Sequence, residues 1–255
     1  MHDLSDKSIL VTGASKGIGA AIAARLGAAG ARLVLHYGSD RRGAQQAAGD
    51  IGNDRKTLIR ADFTDRSAAD VLWDEAERWA GDIDVLVNNA GVMLWGGGFE
   101  SPNADWDRVW DESLEVNLLA PARLLRRAVG HFLKKGGGTI VTVSSWSAQR
   151  GSTNPDNIAY AASKAALHAA TQTVARAYAA QGVLAYVVAP GVVDTRLSEQ
   201  FAATQGGAEK LASGLAMGEW VPPSEIAELV AWLASGRSRH LCGATLDVNG
   251  ASYVR

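Results

Sequence analysis

A single cysteine, Cys242, stands in 255 residues, which excludes an internal disulfide framework and any metal site built from several thiolates. The five histidines, at positions 2, 36, 131, 168 and 240, form no pair at i+3 or i+4 spacing, so no metal is expected. Charge of one sign is lacking as well. A net charge of −2 creates no global field to recruit nucleic acid or an anionic membrane, and neither partner is expected. Long apolar runs are missing too. The longest, Val183 to Val193, contains Pro190-Gly191 and falls short of the ~20 residues a membrane helix needs. The stretch Met1 to Lys7 carries acids first and only a short apolar run after it, unlike a secretory signal, so the expected location is the cytoplasm.

What is present is an ordinary globular balance, 47 % apolar and 20 % charged, enough for one large core in a single domain over 1–255. Short β-branched runs at Ser8–Thr12, Arg32–His36, Thr57–Ala61, Ile83–Asn88, Thr139–Ser144, Leu184–Ala189 and Ala244–Val248 read as seven strands. Most are continuously apolar, as parallel strands buried on both faces must be. Ala-rich helical patterns near 18–29, 40–50, 65–80, 105–132, 158–180 and 223–234 separate them. This alternation predicts an α/β fold, a doubly wound Rossmann-type parallel sheet of seven strands with helices on both faces. The one long irregular stretch, about 194–221, is expected to be a binding flap.

Strand one runs into Thr12-Gly13-Ala14-Ser15-Lys16-Gly17-Ile18-Gly19 and then a helical pattern. In that context a helix N-terminus offers unpaired N–H groups and partial positive charge to a pyrophosphate, and glycines let the backbone approach it. The spacing G-x-x-x-G-x-G differs from both the common dinucleotide loop and the P-loop. Alone it is also compatible with a glycine turn shaped only by packing. Further on, Tyr160 and Lys164 lie at i and i+4, on one helix face. A cation near a phenol favours the phenolate and brings it toward the working range of an acid–base catalyst. Ser145, second of the pair Ser144-Ser145, follows the fifth strand at the edge where parallel sheets bind ligands.

Taken in order, these residues, with Asn88-Asn89-Ala90-Gly91, Asn117 and Pro190-Gly191-x-x-x-Thr195, resemble the short-chain dehydrogenase/reductases, in the compact branch similar to 3-oxoacyl and carbonyl reductases. The Tyr–Lys spacing differs from the enoyl reductases with six intervening residues, and the glycine spacing from the extended epimerase-like branch. Two departures stand out: about two extra residues between Ser145 and Tyr160, placed in Ser152–Asn157, and an ending Asp247-Val248-Asn249-Gly250.

The resemblance implies a catalytic set of Asn117, Ser145, Tyr160 and Lys164. Tyr160 would pass the proton, Lys164 would lower the Tyr160 pKa and bind ribose, Ser145 would bond the carbonyl oxygen, and Asn117 would hold a water beside Lys164. For the dinucleotide it implies Gly13, Ser15, Lys16, Gly17, Ile18, Gly19, Tyr37, Ser39, Arg41, Asp62, Phe63, Asn89, Ala90, Gly91, Tyr160, Lys164, Pro190, Gly191, Val193 and Thr195. Asp62 and Phe63 would cradle the adenine, and Thr195 would meet the nicotinamide carboxamide. It also implies a homotetramer built on paired long helices and the last strand.

An NAD-preferring site usually ends strand two with an acid. Here Tyr37 stands in that place, Asp40 reads as an N-cap, and Lys16, Arg41 and Arg42 gather cations beside two helix N-termini, against the macrodipole. An anion there would relieve the conflict, so NADP(H) is expected ahead of NAD(H). The expected function is reversible hydride transfer between a nicotinamide and a carbonyl or alcohol, on a ketone or 3-oxoacyl group. A sugar or polyol dehydrogenase is the alternative, and a non-catalytic dinucleotide sensor a remoter one. Leu197, Phe201, Leu211, Leu215 and Met217 in the flap, with Trp95 and Trp146, point to an apolar small-molecule substrate, while Arg150 and Arg196 offer charge to a carboxylate or carrier phosphate.

Overall fold

A computed structural model describes residues 3–254, so the first two residues of the N-terminal stretch and Arg255 lie outside it. Seven strands form one parallel sheet: β1 Ser8–Val11, β2 Arg32–Tyr37, β3 Lys56–Arg60, β4 Val85–Asn88, β5 Gly138–Val143, β6 Val183–Pro190 and β7 Thr245–Val248. Their order is β3-β2-β1-β4-β5-β6-β7, which reverses direction between β1 and β4. In such a sheet the crevice at the carboxyl ends of those two strands is where ligands bind.

Alternation along the strands sorts the core into two halves. Val11, Leu35, Val87, Val143 and Val188 pack with α1 (Gly17–Ala28) and α10 (Pro223–Ala234) on one face. Leu10, Val34, Leu86, Ile140 and Ala185 pack on the other with α3 (Ala68–Ala80), α5 (Ala120–Lys135) and α7 (Ile158–Tyr178). Both faces are covered, which is why the strands carry no polar alternation. α2 (Arg41–Ala48) is capped by the Asp40 carboxylate, which accepts from the Gly43 N–H at 2.7 Å.

Two elements differ from the sequence pattern. The expected helix over 105–132 is α4 (Asn103–Leu114), a π turn over Glu115–Leu119, and α5. Across that turn the Ala120 N–H bonds the Glu115 carbonyl, five residues back, and three consecutive residues, Glu115, Val116 and Asn117, are buried. The stretch after residue 194 is not irregular throughout. It folds into α8 (Arg196–Thr204) and α9 (Ala208–Ser213), each too short for its period to stand out among the intervening glycines. A further short helix, α6 (Ser147–Arg150), follows β5. Among the described residues no helix is long and apolar enough to cross a membrane.

Candidate active site

At the crevice, β1 leaves the sheet at Thr12 and the glycine loop turns into α1. Gly13 and Gly17 sit at φ +67° and +54°, the left-handed region that favours glycine. A Cβ on Gly13 would lie 2.8 Å from the Ala90 Cα, and one on Gly19 would lie 2.1 Å from the Gly13 carbonyl oxygen, so the loop closes on the Asn89–Gly91 turn with no room to spare. Thr12 and Asn89 stitch these segments together. The Thr12 Oγ1 accepts from the Asn89 and Ala90 N–H groups, while the Asn89 amide donates to the Thr12 and Gly13 carbonyls. No side chain caps α1 and no acid lies in its first turn, which leaves that N-terminus positive and its N–H groups available. Ile18 packs partly buried against the core below the loop.

The N-terminus of α2 abuts this loop: a Cβ on Gly43 would meet the Ser15 carbonyl oxygen at 2.4 Å. Lys16, Ser39 and Arg41 are therefore neighbours on an exposed rim, and neither cation forms an ion pair among the described residues. Tyr37 is 6 % exposed at the end of β2. Asp62 lies exposed just past β3, its carboxyl held below the usual range by the Thr64 N–H and hydroxyl it accepts from.

The Phe63 ring is buried and stacks on the His36 imidazole, centroids 4.3 Å apart. His36 itself is a residue that sequence reasoning passed over, weighing it only as a metal ligand. Its signal was a lone polar side chain inside an otherwise apolar strand beside the glycine loop.

On the other side of the crevice, α7 presents Tyr160 and Lys164. Ser145 stands close enough to the Tyr160 hydroxyl to lower it against burial. Ser144 instead donates to the Lys164 carbonyl oxygen, which leaves Ser145 as the serine at the site. Ser145 Oγ also accepts from the Ser147 N–H and hydroxyl, at the start of α6. Lys164 is 4 % exposed; its ammonium donates to the Val143 carbonyl at 3.0 Å and lies 5.9 Å from the Tyr160 ring centroid.

The electrostatics here differ from the expected lowering of the phenol by the lysine. Burial dominates both groups: it raises the Tyr160 hydroxyl, against a lesser lowering by Ser145, and it pushes the Lys164 ammonium down to about 8.

Asn117 is fully buried in the π turn. Its amide oxygen accepts from the Val92 N–H at 2.8 Å and its nitrogen donates to the Val92 carbonyl and to Ser163 Oγ. The side chain thus clamps the turn after Gly91 to α7. A Cβ on Gly91 would come within 3.2 Å of both Asn117 Oδ1 and Lys164 Nζ, which makes these three residues mutual neighbours.

From β6 the chain passes Pro190-Gly191, and Val193 pairs with Val221 in an isolated parallel bridge. Thr195 caps α8, its side chain accepting from the Ser198 N–H, and its Cγ2 would lie 3.0 Å from a Cβ on Gly17. That contact brings the segment 190–195 against the glycine loop. Above it, Phe201 of α8 stacks on Trp95, centroids 6.4 Å apart and planes 9° off parallel. The extra residues Ser152–Asn157 reach the same helix, where Asn154 donates to Thr204 Oγ1 at 3.4 Å. Trp146 lies against Gly191 and carries the Arg150 guanidinium on its ring at 4.4 Å.

With this geometry in hand, the relatives are informative. A family model described as enoyl-(acyl carrier protein) reductase matches residues 13–251. The chain is 36 % identical over 260 residues to 3beta-hydroxysteroid dehydrogenase 1 of Eggerthella lenta, covering 97 % of this chain and 94 % of that one. It is 33 % identical over 248 residues to the 3-oxoacyl-(acyl-carrier-protein) reductase FabG of Escherichia coli, covering 97 % and 98 %. This chain belongs to the short-chain dehydrogenase/reductase family. A crystal structure of a dehydrogenase/reductase from Sinorhizobium meliloti superposes with a TM-score of 0.85 at 34 % identity, over 99 % of this chain and 97 % of that one.

As a short-chain dehydrogenase/reductase the protein is an oxidoreductase using NAD(P)(H) on a small molecule. The crevice fits a dinucleotide on its own terms: an uncapped helix N-terminus, and glycines in positive φ at van der Waals limits.

Proposed function

We propose that the chain is an NADP(H)-preferring reductase of largely apolar ketones or 3-oxoacyl groups, reversible as an alcohol dehydrogenase. The observation that carries this reading is the placing of Tyr160 near Ser145, with buried Lys164 one turn along α7 and beside Gly91 at the sheet edge. The dinucleotide, when bound, supplies or accepts a hydride; the chain supplies the proton and the geometry.

Tyr160, kept protonated by burial, donates its hydroxyl proton to a carbonyl oxygen, and Ser145 donates a hydrogen bond to the same oxygen as negative charge develops there. Lys164, buried and held to about 8, gains or loses a proton near working pH. Asn117 holds the Val92 turn and α7 in register around it.

Gly13, Ser15, Gly17, Ile18 and Gly19 would take the pyrophosphate. Asp62 and the Phe63 backbone would border the adenine, and Asn89, Ala90 and Gly91 the ribose. Pro190, Gly191, Val193 and Thr195 would border the nicotinamide. Lys16 and Arg41, with Ser39 and Tyr37 beside them, would meet a 2′-phosphate, for which two unpaired cations on an exposed rim are suited. Segment 194–221 is read as a substrate flap in this single domain, resting through Phe201 on Trp95. An apolar aromatic wall favours a ketone or acyl chain over a sugar, whose hydroxyls would need many partners. The Tyr–Lys spacing favours carbonyl chemistry over the enoyl reduction named by the matching family model.

Tyr160→Phe tests the proposal. Reduction of a ketone panel with NADPH should fall about 10²–10⁴-fold, the range for loss of a general acid, while NADPH affinity holds within about twofold. Near-normal turnover in the variant would remove Tyr160 from the mechanism.

A further inference from the structure

His36 lies inside β2, 3 % exposed, and both ring nitrogens are engaged. Nδ1 accepts from the Gly13 N–H at 3.0 Å, and Nε2 lies 2.9 Å from the Ala61 carbonyl oxygen. Since an N–H can only donate and a carbonyl can only accept, the imidazole is neutral with its proton on Nε2. Burial agrees with this, holding the ring down to about 4. The Phe63 ring covers one face of the imidazole, 16° from parallel. The His36 backbone also acts here, its carbonyl accepting from the Ala14 N–H at 2.8 Å.

One residue of β2 therefore grips the first glycine of the phosphate loop with its ring and the next residue with its carbonyl. The other end of the same ring holds the end of β3, immediately before Asp62. Two segments that the dinucleotide would span, the glycine loop and the Ala61–Phe63 turn, are tied through a single side chain.

We propose that His36 is a positioning residue for the dinucleotide, its Nδ1 acceptor holding the Gly13 amide of the glycine loop in the orientation the cofactor requires. This rests on the glycine loop being the dinucleotide site. A ring that merely filled space would be replaceable by phenylalanine. A positioning ring needs its Nδ1 acceptor, so the two nitrogens can be separated by substitution. Asparagine places its carbonyl oxygen near the Nδ1 position, whereas glutamine reaches the Nε2 position and leaves the Gly13 N–H without an acceptor.

The experiment measures NADPH and NADH dissociation constants by fluorescence titration, and Gly13 amide exchange in the cofactor-free protein, for His36→Asn, His36→Gln and His36→Phe. His36→Asn should keep both constants within threefold. His36→Gln and His36→Phe should raise both at least tenfold and speed Gly13 exchange by a similar factor, with kcat at saturating cofactor within threefold throughout. Equal affinities in all three variants would overturn the proposal, as would a loss in His36→Asn matching that in His36→Gln. Should the His36 variants fail to fold, ¹⁵N spectra of the wild type decide: a proton on Nδ1 refutes the arrangement. Absence of dinucleotide binding by the wild type would instead refute the site reading on which the proposal stands.

Discussion

Replacing Lys164 with methionine should make the protein more stable and inactive at once. The lysine is buried, donates to the Val143 carbonyl, and is pushed by burial from 10.5 to about 8. In the unfolded chain it would return to the ordinary value. Between those two values the unfolded state holds a proton that the folded state has given up, so this group makes stability rise with pH. At pH 7.5 it costs the folded protein about 3 kcal/mol, since each tenfold weakening of proton binding on folding is worth about 1.4 kcal/mol. Methionine matches the stem in length and carries no charge, while loss of the bond to Val143 takes back about 1 kcal/mol. A net gain of about 2 kcal/mol follows. By pH 9.5 the lysine's own cost has fallen to about 1 kcal/mol, so the variant's advantage should shrink by about 2 kcal/mol. Urea unfolding of both proteins at matched concentration, at pH 7.5 and 9.5, reads this difference directly, and comparing the two proteins cancels every other titrating group. A stability difference that does not change over that range, or that grows with pH, would refute the reasoning.

Removing the rim cations together, Lys16→Gln with Arg41→Gln, should raise the KM for NADPH at least tenfold more than that for NADH, because charge-assisted contacts to phosphate are worth about 1.5–3 kcal/mol each. Equal effects on both cofactors would mean the two side chains are only solvated. Trp95→Ala removes the surface on which Phe201 rests and should lower kcat/KM for alkyl and aryl ketones about tenfold while leaving NADPH affinity unchanged. Unchanged ketone kinetics would detach the flap from substrate handling. Sedimentation at micromolar concentration should show a tetramer, and a monomer would overturn that expectation.

The sheet was legible from the chain because each strand is an apolar run buried on both faces, and the glycine loop and the Tyr160–Lys164 pair were legible because they are contiguous. What the pattern could not show is where three-dimensional neighbours compete. The π turn at Glu115–Leu119 is invisible to a 3.6-residue period, which passes smoothly from Val109 and Ser113 to Leu124 and Ala128. The stack of Phe63 on His36 joins side chains 27 positions apart on different strands' ends, which no local pattern displays. Lys164 was expected to act on Tyr160 through charge, but desolvation is the leading influence on each, a balance that depends on packing and that spacing along a helix does not reveal. Asn117 could be singled out only through the resemblance, since its partners, Val92 and Ser163, are 25 and 46 residues away.

The π turn also makes residue count, as distinct from residue type, a determinant of the site. Each residue added to or taken from an α-helix rotates everything beyond it by about 100°. The five-residue step at Glu115–Leu119 absorbs one such residue, so the face that α4 turns inward and the face that α5 lays on the sheet are phased independently. Deleting Leu118 would close the step into an ordinary turn. α4 and α5 would keep their faces, and Asn117 would lose the widened turn from which it reaches Val92 and Ser163. Along this helix the chain's length is itself a setting: the extra residue lets Asn117 face Val92 and Ser163 while α5 keeps its stripe on the sheet.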